Sequence, residues 1–321
     1  MNILVTGAAG FIANQVARDL ATDHQVVAID NVNDYYDVRL KEHRIAALGD
    51  IEFHRLDIEN IESMRPLFER TKFDAVVNLA ARAGVRYSML NPHVYMTTNA
   101  LGSLNLLELM REFEVPKYVL ASTSSLYAGQ EMPFSETLAV NTPISSYAAS
   151  KKAAEVMAYS HHFLYGIDVS VVRYFTVYGP AGRPDMSIFR FIQWIDQGVP
   201  IELFGDGSQS RDFTYVDDIS RGTIAAIRDV GYEIINLGGG NQPISMNTVI
   251  ATLEELLGKK ATINYHDFHK ADLKSTWADI SKAEKLLDWK PEISLQEGLE
   301  RSVRWYQDNL PWSANIDLGT A

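Results

Sequence analysis

The sequence predicts an α/β fold, a doubly wound parallel sheet with a smaller, interleaved α/β domain beside it. Three observations carry this. Short β-branched runs alternate with longer stretches whose apolar residues recur at helical spacing. A glycine-rich turn, "TGAAGFIA", joins the first run to the first such stretch. The alternation holds to residue 174 and then loosens into turn-rich pieces such as "LFGDGSQSRDF".

In chain order, "NILVT" (2–6), "QVVAID" (25–30), "IEFHRLD" (51–57), "DAVVNLA" (74–80), "KYVLAS" (117–122) and "DVSVVRY" (168–174) read as strands. Their β-branched composition suits a sheet buried on both faces. Between them, 11–22, 60–70, 98–114 and 147–165 carry apolar residues at helical spacing. A further strand, "EIINLGG" (233–239), is expected to return to the sheet, and 243–311 reads as helices around the short strand "ATINY". The expected division is a nucleotide-binding domain of 1–174 plus about 214–241, and a second domain of about 175–213 plus 242–321.

At 321 residues and 46% hydrophobic composition the chain can bury a large core. A net charge of -12 provides no basic field for nucleic acid or acidic membrane, although a few placed arginines suffice for a small anion. With no cysteine, thiolate nucleophiles and thiolate metal sites are excluded, and no metal is expected. No apolar run reaches the roughly 18 residues of a membrane span, and "MNILVTG" opens directly on a strand, so a cytoplasmic protein without signal peptide is expected.

The turn after the first strand places Gly7 and Gly10 where backbone can approach a pyrophosphate at a helix N-terminus, with Ala13 in place of the usual third glycine. Asp30 ends the second strand, 20 residues beyond Gly10. A carboxylate there accepts hydrogen bonds from an adenosine ribose and repels a 2′-phosphate, which favours NAD over NADP. A plain helix cap is the competing reading of Asp30. Asp57, ending the third strand, reads either as an adenine contact or as a strand-end turn residue. In "SSYAASKKAAE", Tyr147 and Lys151 lie four apart, so on a helix they share one face. A phenol is a poor base at neutral pH unless a nearby ammonium favours the phenolate. Thr123, Ser124 and Ser125, in "ASTSSLYAG", are hydroxyls for the same site, or a turn satisfying its own backbone.

"TGAAGFIA", "YAASK" and "RDFTYVDDI" together resemble the extended short-chain dehydrogenase/reductase family that acts on nucleotide sugars, over nearly the whole chain. The resemblance implies a Rossmann domain binding NAD, with Gly7, Gly10, Phe11, Ile12, Asp30, Asp57, Ile58, Leu79, Ala80, Ala81, Tyr147 and Lys151 at the cofactor. It implies Tyr147 as base, Lys151 as its partner and Thr123 as hydroxyl helper. Arg211 is similar to an arginine that grips a UDP diphosphate, for which a bidentate guanidinium is suited. Asp272 matches a ribose-binding aspartate, although Lys270 and Ala271 replace the Pro-Gly that precedes it in relatives. Phe204 is either a uracil-stacking ring or an ordinary buried one. A homodimer through helices near 98–114 and 147–165 is also implied.

"RYFTVYGPAGRPDM" and "ARAGVRYSMLNPHVY" resemble the corresponding strings of UDP-glucuronate 4-epimerases, which implies oxidation at C4, rotation of the ketosugar and return of the hydride to its other face. A 4-keto uronic acid is a β-keto acid and readily loses CO₂. Arg183, with the Thr176 hydroxyl, is expected to hold the C6 carboxylate and oppose that loss; a surface arginine capping a turn is the alternative. Arg86 is a second candidate anion reader. Relatives that decarboxylate carry glutamate where this chain has Ser125, which favours epimerisation over UDP-glucuronate decarboxylation. A neutral-sugar (UDP-glucose-type) 4-epimerase and a non-catalytic NAD-binding protein are the remaining alternatives.

Overall fold

The structure, a computed structural model, describes residues 1–241, 243–268 and 273–319. Its strands are β1 (Asn2–Thr6), β2 (Gln25–Asp30), β3 (Glu52–Arg55), β4 (Ala75–Asn78), β5 (Lys117–Thr123), β6 (Asp168–Tyr174), β7 (Thr176–Tyr178), β8 (Ile201–Phe204), β9 (Ser210–Arg211), β10 (Phe213–Tyr215), β11 (Tyr232–Leu237), β12 (Ile244–Ser245) and β13 (Ile263–His266). Seven of them form one parallel sheet in the order β11-β6-β5-β4-β1-β2-β3. The order reverses direction at β1, where the sequence crosses from β3 back to β4, so a crevice opens beyond the C-terminal ends of β1 and β4. In register, Thr6 faces Asn78, and the Thr6 hydroxyl donates to Asn78 Oδ1 at 2.7 Å.

The helices are α1 (Phe11–Leu20), α2 (Val38–Ala47), α3 (Ile61–Arg70), α4 (Val85–Leu90), α5 (Pro92–Tyr95), α6 (Gly102–Glu112), α7 (Ser146–Tyr165), α8 (Ser187–Gln197), α9 (Val216–Ala225), α10 (Met246–Leu257), α11 (Ser281–Leu287), α12 (Leu295–Asp308) and α13 (Leu310–Ser313). One face of the sheet packs Ile3, Val5 and Val77 against Val16 of α1 and Ile219 of α9. The other packs Leu4, Val76 and Leu120 against Met64 of α3, Leu106 of α6 and Ala154 of α7. A separate core gathers Ile192 of α8, Leu203 of β8, Leu253 of α10 and Leu299 of α12 beside the sheet's C-terminal edge. There β8 pairs with β13, β9 with β12 and β10 with β7.

Several expected elements are shorter or different. The strand expected over 51–57 stops at Arg55, because Asp57 turns inward and its Oδ1 accepts from Glu59 N at 2.9 Å. The strand expected over 233–239 stops at Leu237, before three consecutive glycines. The helix expected over 98–114 is a π-helical turn, Met96–Leu101, running into α6. Gly102 stands at that junction because a Cβ there would meet Ile58 Cδ1 at 2.6 Å. Past residue 174, expected to be turn-rich, stand α8 and α9. In α8, Ile188, Phe191, Ile192 and Ile195 form a buried stripe at helical spacing. No period announces α2, whose buried residues are Leu40, Lys41 and Arg44, two of them cations.

Candidate active site

Two adjoining cavities lie beyond the sheet's C-terminal edge. The first, about 240 Å³, is lined by every residue expected at the cofactor, Gly7 to Lys151. Gly7 adopts φ 76°, and a Cβ there would stand 2.8 Å from Ala80 Cα, so only glycine lets the loop pass the end of β4. Gly10 caps α1 without any side-chain hydrogen bond, which leaves the helix's first N–H groups open to an anion. Asp30 is not a helix cap: Oδ2 accepts from Ala9 N at 3.1 Å and Oδ1 from Val32 N at 2.7 Å, tying the glycine loop to the end of β2. Asp57 does shape its own turn, but it also accepts from Asn31 Nδ2 at 2.8 Å and lines the cavity. This donor and acceptor set fits a dinucleotide: a cradle without side chains for the pyrophosphate and a carboxylate for the ribose.

The second cavity, about 450 Å³, is lined by Thr123, Ser124, Ser125, Tyr147, Thr176, Arg183, Arg86, Phe204 and Arg211. Asp272, expected with them, lies outside the described residues. Tyr147, Thr123 and Arg183 line both cavities. Helix α7 starts at Ser146 because the Ser145 hydroxyl accepts from Ala148 N, so Tyr147 and Lys151 stand on its first turns, facing β5. Lys151 Nζ donates to Ala121 O at 3.0 Å. Burial pulls the ammonium down to about 8, opposed by Glu155 one turn on. Burial also pushes the Tyr147 phenol up. The groups that oppose that rise are Thr123, through a hydrogen bond, and the Arg183 charge, so the cation expected to act on the phenol, Lys151, is not the one that lowers it here. Thr123 also caps its local turn, accepting from Ser125 N at 3.1 Å.

Arg183 is not the lone cation its sequence context suggested. Its Nε donates to Asp185 Oδ1 at 3.0 Å and its Nη2 to Asp185 Oδ2 at 2.5 Å. The turn that carries it is fastened by Arg44, which is 2% exposed. Arg44 donates to Ala181 O from Nε (3.1 Å) and Nη2 (2.7 Å), to Gly182 O (3.2 Å), to Ala9 O (3.1 Å) and to the Tyr36 hydroxyl (2.5 Å). One side chain thus binds the Arg183 turn to the glycine loop. Arg86 lies with its guanidinium 4.1 Å from the Phe204 ring centre, so two residues expected at different parts of a ligand stack on each other. Phe204 is half-buried, not a core residue. Arg211 Nη1 donates to Ser210 O at 2.8 Å. Behind Lys151, Arg173 and Glu155 form a fully buried bidentate pair, with Nε–Oε1 and Nη2–Oε2 both 2.8 Å, extended to Ser122 and to the Tyr127 hydroxyl.

Residues the sequence reading missed include Lys41, Arg44 and Arg82 at the first cavity or its wall, and Asp185 and Arg190 at the second. "GRPDM" held the only visible signal for Asp185, an acid two residues from an arginine. Among the described residues no helix is long and apolar enough to cross a membrane.

The profile of the NAD dependent epimerase/dehydratase family matches residues 3–238. A UDP-glucuronate 4-epimerase of Thermodesulfobacterium geofontis is 60% identical over 319 residues, which cover 98% of this chain and 99% of that protein. The crystal structure of a UDP-glucuronic acid 4-epimerase from Bacillus cereus, in complex with UDP-glucuronic acid and NAD, is 37% identical and superposes with a TM-score of 0.90 over 96% of this chain and 100% of that one. A UDP-glucose 4-epimerase of Thermotoga maritima with UDP-glucose is 31% identical, with a TM-score of 0.88 over 97% and 100% of the two chains.

Proposed function

The chain belongs to the NAD dependent epimerase/dehydratase family, and from that premise we infer that it epimerises C4 of UDP-glucuronate to give UDP-galacturonate, with NAD as cofactor. It is an isomerase, since no net redox change results. The observation that carries the reading of the site is that Tyr147 and Arg183 both line the two cavities, so a base and a carboxylate-binding cation face the same junction.

When bound, NAD supplies the oxidant that accepts the C4 hydride and gives it back. The chain's own residues do the rest. Tyr147 takes the C4 hydroxyl proton as a phenolate and returns it at the end. Thr123 hydrogen-bonds the phenol and the Arg183 charge favours its ionised form; Lys151, an ammonium below about pH 8, serves as its partner one helical turn on. Ser124 and Ser125 offer further hydroxyls beside the sugar. Arg183 and Thr176 hold the C6 carboxylate. A cation on that group opposes the electron flow of decarboxylation, and a fixed C5–carboxylate bond stays out of alignment with the C4 carbonyl. Arg211, Phe204, Arg86 and Asp272 serve the uridine diphosphate end. In this division, residues 1–174 with about 214–241 hold NAD, and 175–213 with 242–321 hold the nucleotide sugar.

The protein works as a cytoplasmic homodimer in this reading. Support for the dimer comes from α7, whose outer face shows Val156, Tyr159 and Phe163 at helical spacing, each about half or more exposed, beside exposed Met96 and Leu101 of the π-helical turn. The function is tested by incubating purified protein with UDP-glucuronate and following the sugar by NMR. UDP-galacturonate should accumulate to equilibrium without added NADH. A UDP-pentose with CO₂, or turnover of UDP-glucose alone, overturns the reading.

A further inference from the structure

Two demands conflict at Arg183, given C4 epimerisation of a uronate. The carboxylate must be held while C4 is a ketone, or CO₂ is lost. Yet the ketosugar must turn to offer its other face, and the carboxylate on C5 swings with the ring. If the uronate were the only anion near Arg183, each release would strand a poorly hydrated cation, a state that proteins avoid strongly. The barrier to turning would then contain the whole cost of breaking an ion pair.

The geometry around Arg183 removes that difficulty. Asp185 engages the Nε–Nη2 edge of the guanidinium through two parallel hydrogen bonds, at 3.0 Å and 2.5 Å. Nη1 donates to no group among the described residues, so one edge is committed and the other is left for an incoming carboxylate. Both side chains are about one-fifth exposed, and both line the second cavity together with Thr176 and Tyr147. Between them Pro184 is buried and has a restricted φ, which keeps the two groups in register. The pair is built into the turn itself.

We propose that Asp185 is the standing counter-ion of Arg183, and that by sharing the guanidinium it sets how readily the enzyme releases the uronate carboxylate during ketosugar rotation. Asp185 lines the second cavity and not the first, and its carboxylate engages Arg183, so it is a positioning and tuning residue that acts through Arg183. The inference rests on the C4-epimerase reading. It adds to that reading a residue that trades ground-state affinity for turnover.

Asp185→Asn keeps the shape and removes the charge. With Arg183 uncompensated, UDP-glucuronate should bind more tightly and turn more slowly: KM falls about tenfold and kcat falls by a similar factor, while inhibition by UDP is unchanged. Asp185→Glu should restore both constants towards wild type, which a loss of shape alone would not allow. Asp185→Ser repeats the test if the amide variant fails to fold. The proposal is overturned if KM rises or stays constant in the charge-removed variants, or if UDP and UDP-glucuronate affinities change together. If wild type acts on UDP-glucose and ignores UDP-glucuronate, the epimerase reading itself fails and takes this proposal with it. Wild type active on UDP-glucuronate with no KM-against-kcat split in the variants sinks the proposal alone.

Discussion

Replacing Arg44 by methionine should loosen both ligand sites from a distance. The methionine stem retains most of the packing of the arginine stem, so the loss is chiefly that of five hydrogen bonds. Three backbone carbonyls, of Ala9, Ala181 and Gly182, lose their donor in a place where Arg44 is 2% exposed. A buried acceptor left unpaired costs about 1–3 kcal/mol, and a turn that relaxes recovers part of it, so the net loss is about 3–5 kcal/mol. At an unfolding entropy of about 2 cal/mol/K per residue, a chain this long loses roughly 5–7 °C of Tm. Function should suffer beyond stability. Ala181 sits at φ 50°, a left-handed conformation that costs a non-glycine residue about 1 kcal/mol or more, and Arg44 is what holds its carbonyl. Once that hold is gone, the Arg183 turn relaxes and KM for UDP-glucuronate rises by about tenfold or more, while inhibition by UDP stays within about twofold. Thermal unfolding and steady-state kinetics on the NAD-loaded enzyme check both parts. A variant that loses the predicted stability yet keeps its KM would show that Arg44 only supports the fold. A variant that loses neither would mean that water replaces the guanidinium, and the hydrogen-bond argument fails.

Other outcomes follow from single residues. Arg183→Ala should raise KM for UDP-glucuronate by about 10- to 100-fold with little change for UDP, because charge-assisted hydrogen bonds are worth about 1.5–3 kcal/mol; equal losses would assign the residue to the diphosphate or to the fold. Burial pushes the Asp212 carboxyl up to about 6, against the pull of the Ala278, Gly239 and Gly240 N–H groups. Because its folded value lies above the unfolded one near ~4, its favourable contribution is full below about pH 4 and is lost as pH rises through about 6. The stability of wild type minus Asp212→Asn, from urea midpoints, should therefore fall by on the order of 3 kcal/mol between pH 4 and pH 7, and a flat or rising difference contradicts the assignment. Phe163→Asp should convert a sedimenting dimer to monomer, and an unchanged mass would place the partner surface elsewhere.

What the sequence alone makes legible is what lies near in sequence or repeats with a period. Gly7, Gly10 and Asp30 belong to one strand–turn–helix–strand unit, and Tyr147 and Lys151 to one helical turn, so their meeting at the first cavity was legible from spacing. Strand ends placed Thr176 and Arg183 at the second cavity for the same reason. Helix α2 was invisible because its buried face is Leu40, Lys41 and Arg44, and a cation in a sequence looks like surface whether or not carbonyls surround it. The Arg86–Phe204 stack and the Arg44 fastening join segments far apart in the chain, and no local pattern reports such partners. Asp185 was adjacent and still missed. A neighbour of opposite charge predicts a pair only when the backbone between them is known to turn them together.

The two hydrogen bonds that Asp30 accepts bear on how this protein can change. An acid at the end of the second strand is the obvious target for anyone wishing to switch the cofactor to one carrying a 2′-phosphate. Here the same carboxylate takes Ala9 N on one oxygen and Val32 N on the other. Replacing it by a small neutral residue to admit such a phosphate would at the same moment unhook the glycine loop. In the proposed reading, cofactor preference and loop integrity rest on one side chain, so a single substitution exchanges the first only by damaging the second. Any lineage or engineer that makes the switch has to supply the Ala9 and Val32 amides with another acceptor first.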